Sequence, residues 1–247
     1  MAAKNIVLVT GGNAGIGYEL TRQLLASPTH HILLGARSLE KGTKAVRELQ
    51  SQSQPGTVEV LHLDVSSYDS IQQAAKNVTT SHGYITSLVN NAAIATFPDN
   101  VPIHDQMDQC FRTNATGPQL MGEAFGPLLL KSPTTARIVN VSSGAGSMSS
   151  RLNKELVSYR MSAIHYRASK AALNMVTVNQ AVEFGDRGVK VFAYCPGFTV
   201  SNLSGMNTAE SGAKPTSEGA APIVEILEGK RDAEHGRFLK EGGQYDW

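Results

Sequence analysis

The sequence predicts an α/β chain built as a doubly wound parallel sheet of about seven strands with helices on both faces. Short β-rich runs alternate with longer segments of helical period, and an alternation of that kind folds into parallel strands joined by right-handed crossovers. The length, 247 residues with 41% hydrophobic content, suits one α/β domain with a sizeable core. No internal repeat and no linker divides the chain, so a single domain is expected over residues 1–247.

The elements follow in order. "NIVLVT" is a strand, followed by a helix over 15–27; "HHILLGA" is the next strand, with a helix over 39–52; "TVEVLHLD" is the third, with a helix over 67–81. The βαβ pattern continues through "ITSLVNNA", a helical stretch around 104–130, "ARIVNVSS", a helix carrying Tyr166, and "VKVFAYCPG". A polar Gly/Ser/Thr-rich segment over 199–219 reads as a mobile cover above a site, and "GRFLK" as a last strand.

Composition excludes several classes of function. Net charge is +1 with no block of like charges, so neither nucleic acid nor an anionic membrane surface is expected as a partner. No apolar run reaches the roughly 18 residues a spanning helix requires. Two cysteines, Cys110 and Cys195, are too few for a disulfide framework, and "MAAKNIVLVTGG" lacks a secretory signal's apolar region, so a cytoplasmic location is expected. The seven histidines show no metal-ligand spacing; His30 and His31 point to opposite faces of a strand, and no metal is expected.

"TGGNAGIG", Thr10 to Gly17, lies between the first strand and the first helix. Gly11, Gly15 and Gly17, with Asn13 and Ile16 among them, allow a tight turn and close approach of backbone N–H groups to a pyrophosphate at the helix N-terminus. About 20 residues further on, a NAD site places an acid on the adenosine ribose. Here Ala36 stands in that place and Arg37 follows, a guanidinium able to pair with a 2′-phosphate, so NADP is the expected cofactor.

Tyr166 and Lys170 stand at i and i+4 on one helix face. At roughly 4 Å and an effective dielectric of about 20, the ammonium attracts a phenolate by about 4 kcal/mol, or about three pKa units, against the opposing cost of desolvation. Tyr18, Tyr68, Tyr84, Tyr159 and Tyr194 have no lysine at that spacing. Ala168, Ser169, Ala171 and Ala172 leave room beside the pair for a dinucleotide or a neighbouring helix.

With "LDV", "NNAA", "FRTNATG", "VNVSS", "YRASK" and "CPGFTVS" in this order after the glycine loop, the chain resembles the short-chain dehydrogenase/reductase family over nearly its full length. The resemblance implies a Rossmann-type fold and NADPH-dependent reduction of a ketone or aldehyde to an alcohol, or the reverse, with Tyr166 as general acid or base. It also implies Ser143 at the carbonyl oxygen, Lys170 at the tyrosine and the nicotinamide ribose, and Asn114 holding a water in a proton relay. Asp64 and Val65 would bracket the adenine, the backbone at Asn91 and Ala92 would face the ribose, and Pro196, Gly197, Thr199 and Ser201 would meet the nicotinamide. Ser142 competes with Ser143 on the strand, and alignment to the family favours the second.

Departures qualify the resemblance. Between Ser143 and Tyr166 lie 22 residues where many members have about a dozen, an insertion that is expected to reshape the substrate entrance. Similar insertions occur in monomeric carbonyl reductases of the family, so a homodimer or homotetramer is expected with a monomer as the alternative. The expected pocket segments 94–103, 144–162 and 198–213 contribute Phe97, Met148, Leu152, Tyr159, Met161, Phe198, Leu203 and Met206, favouring an apolar small-molecule substrate. The ending "EGGQYDW" resembles tails of fungal and plant reductases, some in natural-product biosynthesis. Two other functions remain open: a redox-neutral lyase, epimerase or cyclase using the same Tyr/Lys pair, and a non-catalytic NADP-binding protein.

Overall fold

The computed structural model describes residues 3–156, 159 and 162–247. Met161, one of the expected pocket residues, lies outside them. The strands are β1 (Asn5–Thr10), β2 (His30–Ala36), β3 (Thr57–His62), β4 (Ser87–Asn90), β5 (Arg137–Val141), β6 (Lys190–Tyr194), β7 (Phe238–Lys240) and β8 (Gly243–Tyr245). They form one sheet in the order β3-β2-β1-β4-β5-β6-β7-β8, with every neighbouring pair parallel except the last. The seven expected strands are therefore present, and "GGQYDW" adds an eighth by turning back antiparallel at Gly242, whose φ of +66° suits glycine.

Helices cover both faces. α1 (Gly15–Leu24), α2 (Leu39–Gln50) and α8 (Thr216–Leu227) bury Leu20, Leu24, Leu49, Ile223 and Ile226 against Val7, Val9, Ile32 and Leu34 on one side. On the other, α3 (Tyr68–Ser81), α5 (Gly117–Leu129) and α7 (Ile164–Gly185) bury Ile71, Val78, Met121, Phe125 and Phe184 against Ile6, Leu8, Leu33 and Ile138. Strands buried on both faces are apolar at successive positions, whereas edge strand β3 alternates. Ser38 and Ser67 cap α2 and α3 by accepting from the N–H groups of Lys41 and Ser70.

Two expected boundaries move. The helical stretch around 104–130 divides into α4 (Ile103–Phe111), a π-turn over Arg112–Thr116 and α5. The expected cover over 199–219 ends earlier, because Thr216 already begins α8; Ile223, Ile226 and Leu227 share the face that packs on α1 and outweigh the interior Pro222. A short helix, α6 (Met148–Leu152), lies in the insertion before α7.

Candidate active site

β1 and β4 are neighbours in the sheet, and the crossovers leave them in opposite directions; the crevice at their C-terminal ends is where an open α/β sheet takes a ligand. The glycine loop lines it. Gly11 and Gly15 have φ values of +64° and +55°, and a Cβ added at Gly17 would lie 2.5 Å from the Gly11 carbonyl oxygen, so side chains are excluded at these three positions. Ala14 precedes α1 and supplies no side-chain cap, which leaves the first-turn N–H groups, including that of Ile16, for an anion. The "NNAA" segment is tied to this loop. Thr10 Oγ1 accepts from the N–H groups of Asn91 and Ala92 at 3.0 Å each, and Asn91 Nδ2 donates to the Thr10 carbonyl at 2.9 Å.

Arg37 follows the C-terminal end of β2 directly, exposed, and makes no ion pair among those of the described residues. Gly12 N–H donates to Gly35 O at 3.1 Å, which holds the end of β2 beside the glycine loop. Asp64 and buried Val65 follow β3; Asp64 Oδ1 accepts from Ser66 N and Oγ. On the other side Ser201 reaches the loop, its Cβ 3.5 Å from where a Cβ on Gly15 would stand. A helix start without a side-chain cap, a glycine-rich turn and an exposed guanidinium after the second strand fit a phosphate-bearing dinucleotide.

The second half of the site is assembled by β5 and α7. Ser143 follows β5; its Oγ accepts from Ala145 N at 3.2 Å, and its hydroxyl faces the phenol of Tyr166. Lys170 is 2% exposed; its Nζ donates to the Val141 carbonyl at 2.8 Å and lies 5.7 Å from the centre of the Tyr166 ring. Ala163 before α7 is left-handed, with φ +75°, a strained conformation for a non-glycine residue, and it sets the entry of the helix three residues ahead of Tyr166. Ser142 is turned away, donating to buried Asn174 Oδ1 at 2.6 Å, so Ser143 is the hydroxyl facing Tyr166. Tyr159 is occupied differently: Arg151 donates to its carbonyl and stands over its ring.

Asn114 lies in the π-turn and is fully buried. Its Nδ2 donates to Ile94 O at 2.8 Å and to Ser169 Oγ at 2.9 Å, while Oδ1 accepts from Ile94 N at 2.9 Å. Both amide hydrogens are thus used inside the protein, and the side chain positions the loop after β4 against α7 beside Lys170.

One electrostatic expectation is corrected. Burial raises the Tyr166 pKa above the ordinary tyrosine value, with the Ser143 hydrogen bond opposing it, rather than the lysine drawing it down. The ammonium faces the ring and the Val141 carbonyl, and the same burial lowers Lys170 to about 8.

Beyond Pro196, Gly197 adopts φ +76° and Thr199 turns inward, its hydroxyl donating to Pro196 O at 3.0 Å. The Thr199 side chain is therefore structural, which the sequence reading did not anticipate. The following segment crosses the cleft, where Thr96 Oγ1 donates to Leu203 O at 3.3 Å. Met148, Leu152, Phe198 and Met206 expose apolar surface. A cavity of about 440 Å³, lined by Ile103, Gln106, Arg151, His165 and Arg167 among others, lies beside the insertion and does not include Tyr166.

Several contributors were missed by sequence reasoning. Asn90 Nδ2 donates to Asn140 Oδ1, and Asn140 Nδ2 donates to Thr177 Oγ1 and Gln180 Oε1, a buried polar chain joining β4, β5 and α7. Asparagines inside apolar strands were the available signal. Cys195 Sγ accepts from Gly144 N at 3.1 Å, beside Ser143.

The short chain dehydrogenase family matches residues 5–211. The chain belongs to this family. A curated relative, the short-chain dehydrogenase/reductase tropE of Talaromyces stipitatus, is 31% identical, covering 99% of this chain and 98% of that protein. The short-chain dehydrogenase anuI of Penicillium roqueforti is 34% identical over 90% of this chain and 87% of its own. Among solved structures, the NADPH-bound carbonyl reductase from chicken fatty liver superposes with a TM-score of 0.83 at 28% identity, covering all of both chains. Salutaridine reductase from Papaver somniferum matches at 0.72 and 25%, covering 91% and 95%. Membership makes the chain an oxidoreductase with a nicotinamide cofactor and a small-molecule substrate. No described helix is long and apolar enough to cross a membrane.

Proposed function

We propose that this dehydrogenase/reductase uses NADPH to reduce a ketone or aldehyde on a bulky apolar compound, of the kind met in natural-product biosynthesis. The observation that carries the reading is the hydroxyl pair of Ser143 and Tyr166 with the Lys170 ammonium 5.7 Å from the same ring. Bound NADPH would supply the hydride to the carbonyl carbon. Gly11, Asn13, Gly15, Ile16 and Gly17 would hold its pyrophosphate, Arg37 its 2′-phosphate, and Asp64, Val65, Asn91 and Ala92 its adenosine half. Pro196, Gly197 and Ser201 would meet the nicotinamide half with Lys170, Thr199 holding their turn from within.

The chain's own groups then manage charge on the carbonyl oxygen. Ser143 donates a hydrogen bond to that oxygen as negative charge develops, and Tyr166 transfers its phenolic proton to it. Burial keeps Tyr166 protonated at neutral pH, the state an acid requires. Lys170, adjacent and buried, stabilises the phenolate left behind. The segment after Pro196 acts as the cover, and the exposed Met148, Leu152, Phe198 and Met206 supply apolar contacts. The carbonyl reductase and salutaridine reductase likenesses support both the cofactor and the substrate class.

Calorimetric titration with NADPH and NADH, followed by a panel of apolar ketones and aldehydes read by NADPH consumption, tests the proposal. Tighter NADPH binding and stoichiometric consumption are expected. Tighter NADH binding would overturn the cofactor assignment, and product formation without net consumption would favour a redox-neutral reaction at the same tyrosine.

A further inference from the structure

We propose that His31, Glu59 and His82 form a binding site for a divalent transition cation, with zinc as the fitting probe, at the end of the sheet opposite the glycine loop. The three residues are far apart in the sequence, and no spacing announces them. Parallel pairing of β2 with β3 sets His31 beside Thr57, so Glu59, two residues on, projects from the same face; α3 crosses that face and delivers His82 at its C-terminal end. Their ligand atoms all lie within 4.8 Å of one another.

The donor set is two imidazoles and a carboxylate, which suits zinc and its neighbours rather than calcium or magnesium. Bonds of about 2.0 Å in tetrahedral array hold ligand atoms about 3.3 Å apart. His31 Nε2 and Glu59 Oε1 stand 3.4 Å apart, and His82 Nε2 and the same oxygen 2.8 Å, so both pairs lie within about half an ångström of that spacing. His31 Nε2 is a buried nitrogen without a hydrogen-bond partner. Its Nδ1 lies 2.8 Å from Thr57 Oγ1; when it donates there, the Nε2 lone pair faces the Glu59 carboxylate, an arrangement that a cation between them satisfies. The histidine side chains are each 17% exposed and Glu59 51%, so an ion has a path from solvent and a water can complete the coordination. Lys4, which donates to Thr57 Oγ1 at 3.3 Å, is the like charge nearby that opposes it.

A bound ion would tie edge strand β3 to the end of α3 without touching the oxidoreductase site. Calorimetric titration of the untagged, metal-stripped chain with zinc chloride is the test, paired with thermal melts with and without zinc. One equivalent bound and a zinc-dependent rise in Tm are expected in the parent, with affinity at least tenfold weaker in Glu59→Gln and His82→Ala. Glu59→Gln keeps the size of the side chain, and melts of both variants without zinc, together with NADPH titration, report whether they are folded. Absence of saturable zinc binding by the parent, or equal affinity in the parent and both folded variants, would overturn the proposal.

Discussion

At the level of single residues, burial outweighs charge pairing around Tyr166. The phenol is held protonated while the lysine beneath it is pressed towards neutrality at about 8. Tyr166→Phe removes the proton donor and leaves the packing; kcat is expected to fall by about 10²- to 10⁴-fold with NADPH affinity unchanged, measured by steady-state kinetics and calorimetry. Lys170 gives a pH signature of its own. Its folded value of about 8 lies below its ordinary 10.5, so the unfolded chain binds more protons between those limits and stability rises with pH across that window. The penalty is full below pH 8, roughly 3 kcal/mol by that difference. Lys170→Met is therefore expected to be more stable than the parent at pH 7 by up to about 3 kcal/mol, the gap closing towards pH 10, while turnover is lost. Urea melts at several pH values check the slope, and a gap independent of pH would deny the buried ammonium its cost. Arg37→Glu places a carboxylate where the 2′-phosphate would bind and is expected to invert the NADPH over NADH preference in calorimetry. At this scale the i, i+4 spacing of Tyr166 and Lys170 was legible because helical period alone fixes it. The direction of the tyrosine's shift was not, because it depends on burial contributed by β5 and the Ser143 loop.

At the level of elements, the strands were legible from alternation, since each buried strand reads as an apolar run between helical segments. The π-turn at Arg112–Thr116 was not, because the sequence across it stays helical in composition; what fixes it is tertiary, the Asn114 amide bonding Ile94 and Ser169. α8 was hidden by Gly219 and Pro222, whose cost is met by packing on α1. The loop after Ser143 presses on α7 so closely that a Cβ added at Gly146 would lie 2.6 Å from the Lys170 carbonyl carbon and 2.8 Å from Ala171 N, backbone atoms that cannot swing aside. Gly146→Ala is expected to cost about 1–3 kcal/mol by urea melts and to lower kcat, because relief requires the Ser143 loop and the helix of Tyr166 to separate. A variant with parent-like stability and kcat would mean the two elements are more loosely coupled than this contact implies.

Across the whole molecule, the sheet holds two half-sites at the C-terminal ends of its strands: the glycine loop at β1 and the Ser143 loop at β5, with β4 between them. The second half-site is braced from the far edge of the sheet. β8 turns back on β7, Tyr245 lies 5.0 Å from Phe238 between ring centres, and Trp247 stacks on Phe238 at 5.5 Å. The Tyr245 ring fills the space a side chain at Gly144 would need, 2.9 Å from its Cβ, and Ser147 Oγ donates to Asp246 O at 2.8 Å. The residues flanking Ser143 are thus gripped by α7 on one side and by the β7–β8 hairpin on the other, with Cys195 Sγ accepting from Gly144 N between them. Tyr245→Ala empties the space beside Gly144 and frees that loop to move. Half-burial of the ring limits the loss of stability to about 1–3 kcal/mol, whereas a displacement of about 1 Å at Ser143 lowers kcat by up to 10²-fold. NADPH affinity is expected to hold, since the glycine loop and Arg37 lie beyond β4 on the other half of the sheet. A kcat loss with intact NADPH binding would identify the hairpin as a positioning element for Ser143, and Tyr245→Phe, which keeps the ring, should restore most of it. Unchanged kcat alongside a lower urea midpoint would mean that α7 alone holds the serine and that the hairpin serves only the fold.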